Sequence, residues 1–233
     1  MSQSNFNFGI TREFPCSYLP DQKEKLVIAV DERMHNANGY AWLMANGFRR
    51  SGDQIYRPHC EACNACQSIR VLTQGFKPSR SQRRLLRKNE HLSVKTSSSI
   101  QQNYFELFER YINTLHSDGS MYPAKEEQFY DFIKTGISEQ LFMEVWDSDK
   151  LVNVAVTDVL HDGLSAVYTF YDPDYRKSSM GMYSILQQIN LCLSQGRPFL
   201  YLGYQIDDCQ KMNYKTKFSP YQRFIENNWQ TVK

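Results

Sequence analysis

The chain has 233 residues, 41% hydrophobic and 22% charged, an ordinary globular mixture that excludes a disordered polypeptide and suffices for one large or two compact domains. The net charge of +2 says nothing by itself about nucleic acid, but it is unevenly placed: Lys77 to Lys95 hold seven Lys or Arg and one acid, and the remainder is net acidic. No apolar run approaches the roughly 18 residues of a membrane span, and MSQSNFNFGITREF has neither a basic leader nor an apolar core, so a cytoplasmic protein is expected.

In chain order, LVIAVD (26–31) predicts a short buried strand and 33–46 a helix stopped by Gly47. The loop RPHCEACNACQSIR (57–70) places Cys60, Cys63 and Cys66 three residues apart, and IRVL after it predicts a strand. FKPSRSQRRLLRKNEHL becomes a basic helix after Pro78. Apolar residues at 100, 104, 107/108, 111 and 115 mark a helix by their 3.6-residue period, and 125–136 is another. LFMEVWD, LVNVAVTDVL and LSAVYTFYD then read as strands, the last two joined at His161-Asp162-Gly163. A helix over 180–196 and a buried strand over 198–206 follow. The fold class expected is α+β. A cysteine-bearing α/β subdomain (1–97) precedes an N-acetyltransferase-type domain (98–233) with a mixed sheet flanked by helices, because β–β–β–α–β is the element order of that acyltransferase fold.

Four segments carry chemistry. Arg176 to Gly181 precedes a helix where N-acetyltransferases hold a pyrophosphate on backbone N–H groups, but Ser179 stands in place of a glycine, which weakens coenzyme A and leaves room for another acyl donor. In SRSQRRLLRK, Arg80, Arg83, Arg84 and Arg87 share one broad helical face suited to phosphates or to a solvated surface. Lys211, Lys215 and Lys217 alternate with Met212, Tyr214 and Phe218, a pattern that fits a single-stranded tRNA end or an irregular connection. The three clustered cysteines are one ligand short of a zinc site, and Arg70 stands where the fourth cysteine of a ferredoxin run would be; Cys16 is the natural fourth ligand, and free or redox-active thiols are the alternative.

The segments FPCSYLPD (14–21), GFRRSG (47–52), YRPHCEACNACQSIRV (56–71), FKPSRSQRRLLRKN (76–89), LSAVYTFYDPD (164–174) and LYLGYQIDDCQKMNYKTKFSP (200–220) fall in order over nearly the whole chain. Together they resemble the arginyl-tRNA–protein transferase family, most closely its compact bacterial branch. The resemblance implies transfer of an amino acid from its tRNA to the α-amine of a protein beginning with Asp or Glu, which marks that protein for downstream protease machinery. In the compact branch the donor is leucyl-tRNA; the longer eukaryotic relatives use arginine and space their cysteines differently.

An aminoacyl ester is already activated, so the chemistry requires no cofactor; zinc or an iron–sulfur cluster at Cys16, Cys60, Cys63 and Cys66 would be structural. The work is positioning and oxyanion stabilisation. Backbone N–H groups near 168–172 and the side chains Tyr168, Lys211 and Tyr214 are expected at the reaction centre. Arg57, Arg80 and Arg83, ahead of the lysines of KMNYK (Lys211 and Lys215), are expected to hold the acceptor carboxylate. Arg84, Arg87, Lys88, Arg176, Lys211, Lys215 and Lys217 are expected to meet tRNA. A leucine donor needs an apolar pocket without a buried acid, whereas an arginine donor needs a carboxylate there. A coenzyme A-dependent N-acetyltransferase and a non-enzymatic tRNA-binding module are the competing readings.

Overall fold

The computed structural model describes residues 6–232. The first half runs β1 (Phe8–Ile10), β2 (Phe14–Pro15), β3 (Lys23–Glu24), β4 (Leu26–Ala29), α1 (Ala37–Ala45), β5 (Arg49–Ser51), β6 (Gln54–Pro58), β7 (Gln67–Leu72), α2 (Arg80–Lys88) and β8 (Ser93–Ser97). The second runs α3 (Tyr104–Leu115), α4 (Glu126–Ile133), β9 (Gln140–Asp147), β10 (Lys150–Val159), β11 (Gly163–Tyr171), α5 (Met180–Ser194), β12 (Phe199–Gln205), β13 (Tyr221–Ile225) and β14 (Asn228–Val232).

Local chemistry sets the boundaries. The helix predicted over 33–46 is divided, because the Asn36 side chain accepts from the N–H groups of Asn38 and Gly39 and starts α1 there. Gly47, at φ +83°, ends it. Helix α2 begins in a capping box in which Ser79 and Gln82 satisfy each other's backbone N–H groups.

The large mixed sheet has the order β14-β13-β7-β12-β11-β10-β9-β8, with only β11 and β12 parallel among its neighbours. A smaller antiparallel sheet, β1-β4-β6-β5, stands beside it. The large sheet draws on both sides of residue 97: β7 lies between β12 and β13, and β8 pairs with β9. Helix α5 covers one face through Ile185, Leu186 and Ile189, packed with Leu164, Leu200 and Leu202. Helices α3 and α4 cover the other, where Phe108, Ile112, Phe129 and Ile133 meet Val154, Val156 and Phe170. Arg50 of the small sheet forks onto Asp158 of β10 at 2.7 and 2.6 Å, and Tyr40 donates to the same carboxylate at 2.9 Å. This buried triad ties the two sheets together.

Candidate active site

Parallel pairing of β11 with β12 lasts only from Gly163↔Phe199 to Ser165↔Tyr201. At that level both strands carry an irregularity. On β11 the register against β10 jumps from Tyr168 to Ala166, so Val167 is the extra residue; on β12 the register against β7 jumps from Tyr201 to Gly203, so Leu202 is extra. A bulge bends its strand and shifts side chains to the opposite face. Ala166 accordingly packs on the α5 side while Tyr168 and Phe170 belong to the α3 side. The two bent strands part, and the split between them becomes a cavity of about 480 Å³.

Its walls come from β11 (Ala166 to Thr169), β12 (Leu202, Tyr204), the first turns of α5 (Gly181, Ile185), α3 and the turn after it (Tyr111, His116), and the segment Lys211 to Lys215. Met121, Phe132, Val167, Ile185 and Leu202 supply apolar surface, and no Asp or Glu lines the cavity among the described residues. Burial pushes the Tyr168 phenol up to about 12 and raises that of Tyr214, so both stay protonated at neutral pH. Burial, then the charge of Lys211, lowers His116, keeping its imidazole neutral.

Four cations line the cavity. Arg50 is neutralised by Asp158, and the exposed Lys211 pairs with Asp118 at 3.2 Å. Arg49 crosses from β5 to donate from Nη2 to the carbonyls of Ala166 (3.0 Å) and Val167 (3.4 Å), the backbone acceptors exposed where β11 leaves β12. It passes over Gly203, where a Cβ would collide with its guanidinium and where φ is +81°. Lys215 is 5% exposed; its ammonium donates to the Tyr204 carbonyl and touches Met212 Sδ at 3.4 Å. Burial first, and Arg49 second, bring Lys215 down to about 7.

A second cavity, of about 280 Å³, holds Cys16, Cys60, Cys63 and Cys66 together with Arg57 and His59. Tyr18, Tyr56 and Tyr204 belong to the walls of both cavities and form the partition between them. The four cysteines line one cavity. Burial, reinforced by the other three thiols, pushes Cys66 up to about 12. Four soft sulfur donors suit zinc or an iron–sulfur cluster in kind, but no three His, Cys, Asp or Glu side chains among the described residues are arranged to hold an ion.

Of the expected reaction-centre residues, Tyr168, Lys211 and Tyr214 share the first cavity. The three expected carboxylate readers are scattered. Arg57 lies in the cysteine cavity, held by the Asn46 carbonyl at 3.1 Å and stacked 5.1 Å from Phe48. Arg80 and Arg83 lie exposed on α2, away from both cavities. Of the residues expected to meet tRNA, Arg84, Arg87, Lys88, Arg176 and Lys217 lie on or beside α2, whereas Lys211 and Lys215 line the cavity. Arg84, Arg87 and Lys88 are exposed on α2; Lys88 donates to Lys177 O at 2.7 Å beside Arg176, and Gln82 donates to Lys217 O at 3.0 Å. Lys215 departs from that set, since it points inward rather than onto the basic face. Arg49 and His116 carried no expectation. The usable signal was Gly203, a lone glycine inside an apolar strand, which marks a bulge or a close backbone approach.

The family model described as arginine-tRNA-protein transferase, N terminus, matches residues 14–84, and that for the C terminus matches 103–225. The chain belongs to the arginine-tRNA–protein transferase family. Two relatives, both named aspartate/glutamate leucyltransferase, are 50% identical over 225 residues (Pseudoalteromonas atlantica) and 46% identical over 227 residues (Vibrio campbellii), each alignment covering 97% of both chains. Among solved structures, a C-terminal domain (DUF2156) from Agrobacterium fabrum has a TM-score of 0.46 and 11% identity, over 61% of this chain and 47% of that one. Both regions matched by the arginine-tRNA–protein transferase models reach the cavity, the first through Tyr18, Arg49, Arg50, Ser51 and Tyr56, the second through the remaining walls.

Proposed function

We propose that the protein transfers leucine from leucyl-tRNA to the α-amine of proteins beginning with Asp or Glu, creating an N-terminus read by the degradation machinery. The observation that carries this reading is the acid-free, partly apolar cavity. A leucyl side chain fits such walls, whereas an arginyl side chain would leave its charge without a counter-ion. The relatives' name, aspartate/glutamate leucyltransferase, supports the same donor and acceptors.

The neutral α-amine attacks the ester carbonyl carbon, the C–N bond forms, and the carbonyl oxygen takes up negative charge. Protonated Tyr168 and Tyr214, with backbone N–H groups of the bulged β11, are the donors we assign to that oxygen and to the leaving ribose oxygen. His116, neutral in the resting cavity, is the group we assign to accept the proton the amine releases. Collapse breaks the bond to the ribose oxygen, which leaves as a hydroxyl after taking a proton from its donor. Lys211 stands at the rim with Asp118, and we assign it to the terminal nucleotide rather than to the ester. No step calls for a metal at the cysteines.

We read β9, β10, β11, α5 and β12 as an N-acetyltransferase-type core whose split sheet receives an aminoacyl ester instead of coenzyme A. The face made by α2, Arg176 and Lys217 serves as the track for tRNA phosphates. We assign the protein to the cytoplasm, where charged tRNA is made; no helix among the described residues is long and apolar enough to cross a membrane.

The test supplies labelled leucyl- or arginyl-tRNA with peptides beginning Asp, Glu or Ala. Leucine is expected on the Asp and Glu peptides alone. Absence of transfer from leucyl-tRNA, or preference for arginyl-tRNA, overturns the proposal.

A further inference from the structure

We propose that Arg49 and Lys215 together form the anion pocket that reads the acidic side chain of the acceptor's first residue. The proposal rests on the transfer reaction above and assigns its specificity to Arg49, which carried no expectation, and to Lys215, one of the lysines ranked behind the three arginines.

Covalent geometry makes the first step. The carboxylate of an N-terminal Asp or Glu lies no more than about 5 Å from its own α-nitrogen. The cation that reads it therefore shares a cavity with the ester that the nitrogen attacks. Arg57 stands behind the Tyr18–Tyr56–Tyr204 partition, and Arg80 and Arg83 stand outside both cavities. Within the reaction cavity, Arg50 and Lys211 already have carboxylate partners.

Arg49 and Lys215 do not. Among the described residues Arg49 meets only the carbonyls of Ala166 and Val167, both through Nη2, which leaves Nε and Nη1 without a hydrogen-bond partner. Lys215 meets the Tyr204 carbonyl, the Met212 sulfur and, at 5.5 Å, the face of the Tyr214 ring, none of them an anion. Carbonyl dipoles hold these groups in place without cancelling their charge. Two cations partly withdrawn from water, adjacent enough for Arg49 to depress Lys215, and facing no acid make a site with an anion missing. Its form favours a carboxylate over a phosphate backbone. A tRNA backbone runs along surfaces and is met by exposed cations such as those of α2, whereas a recessed pair takes one small anion, and a guanidinium fork matches a carboxylate. The arrangement also accounts for Gly203, which leaves the space through which Arg49 reaches the cavity.

The test is steady-state transfer from leucyl-tRNA by wild type, Arg49→Gln and Lys215→Met to matched peptides beginning Asp or Asn, with unfolding curves confirming that the variants are folded. For Arg49→Gln the expected result is a KM for the Asp peptide raised roughly 10- to 100-fold and a reduced Asp-over-Asn preference, with the KM for leucyl-tRNA within about twofold of wild type. Should a variant fail to fold, wild-type protein treated with phenylglyoxal decides: Arg49 is expected to be protected by the Asp peptide and not by the Asn peptide, as read by mass spectrometry. An unchanged peptide KM, equal protection by both peptides, or a loss confined to the leucyl-tRNA KM overturns the assignment, the last because the anion is then a tRNA phosphate. Wild type that transfers no leucine sinks the proposed function instead, so the two failures are distinguishable.

Discussion

Lys215 loses its charge at about 7, just below the range of about 7.7–8.0 in which an acceptor α-amine becomes nucleophilic. The signs oppose each other. Lys215 favours an acidic side chain while protonated, below its own pKa, whereas the amine attacks only when deprotonated, above its pKa. The value of kcat/KM for an Asp peptide is therefore expected to pass through a maximum near about pH 7.5, rising with the amine and falling with the lysine. Arg49, Cys66 and Cys209 are the charged or titratable groups that set Lys215, and Arg49 is the strongest of them. Lys215→Arg stays protonated throughout, so its profile should keep the rising limb and lose the falling one; a falling limb retained in that variant would refute the role. Arg49 was not legible as a reader of acids, and Lys215 ranked only behind three arginines. A lysine in KMNYKTK looks like surface, and only the fold shows that its side chain turns inward.

At the level of elements, the long periodic segments were readable because repetition averages out local noise: β9, β10, β11, α3, α5 and β12 all stand close to where the pattern of apolar residues puts them. The β13–β14 hairpin was not, because its turn uses Glu226 and Asn227 at positive φ in place of the glycine that usually announces one. The bulge at Val167 was invisible for a different reason, since an inserted residue breaks a two-residue period without marking where, whereas Gly203 flags the one at Leu202. Gly203→Ala tests their role. Its Cβ would displace the Arg49 guanidinium at a strained φ, and the variant is expected to lose about 1–3 kcal/mol in urea unfolding and also to lose Asp-over-Asn preference. Stability lost with preference intact would separate the bulge from the site. On α2, Arg84→Ala and Arg87→Ala should raise the KM for leucyl-tRNA and each lower the slope of log KM against log salt by about one, without altering peptide preference. Equal salt slopes in variants and wild type would mean that this face is merely solvated.

Across the whole molecule, a buried fork is one of the ties between the two sheets. Asp158→Asn leaves Arg50 charged and unpaired at 1% side-chain exposure, and a loss of about 3–5 kcal/mol is expected by denaturant unfolding. Arg50→Met combined with Asp158→Leu should cost much less, since no orphan charge remains. Because β7 runs between β12 and β13, a fragment of residues 98–233 lacks an interior strand; it is expected to show no cooperative unfolding alone and to recover it when combined with residues 1–97. The same interior position bears on fidelity. With β11 laddered to β10 and β12 to β7 on their outer sides, and the two joined at Gly163–Ser165, the split between them resists closing around a small residue or opening for a large one and acts as a gauge of fixed width. Such a gauge separates aliphatic side chains by only about 1–3 kcal/mol per methylene, and it has no means of discarding a near-isostere once admitted. Methionine presented on a leucine-accepting tRNA should therefore be transferred nearly as well as leucine, and accuracy would reside in the synthetase that charges the tRNA.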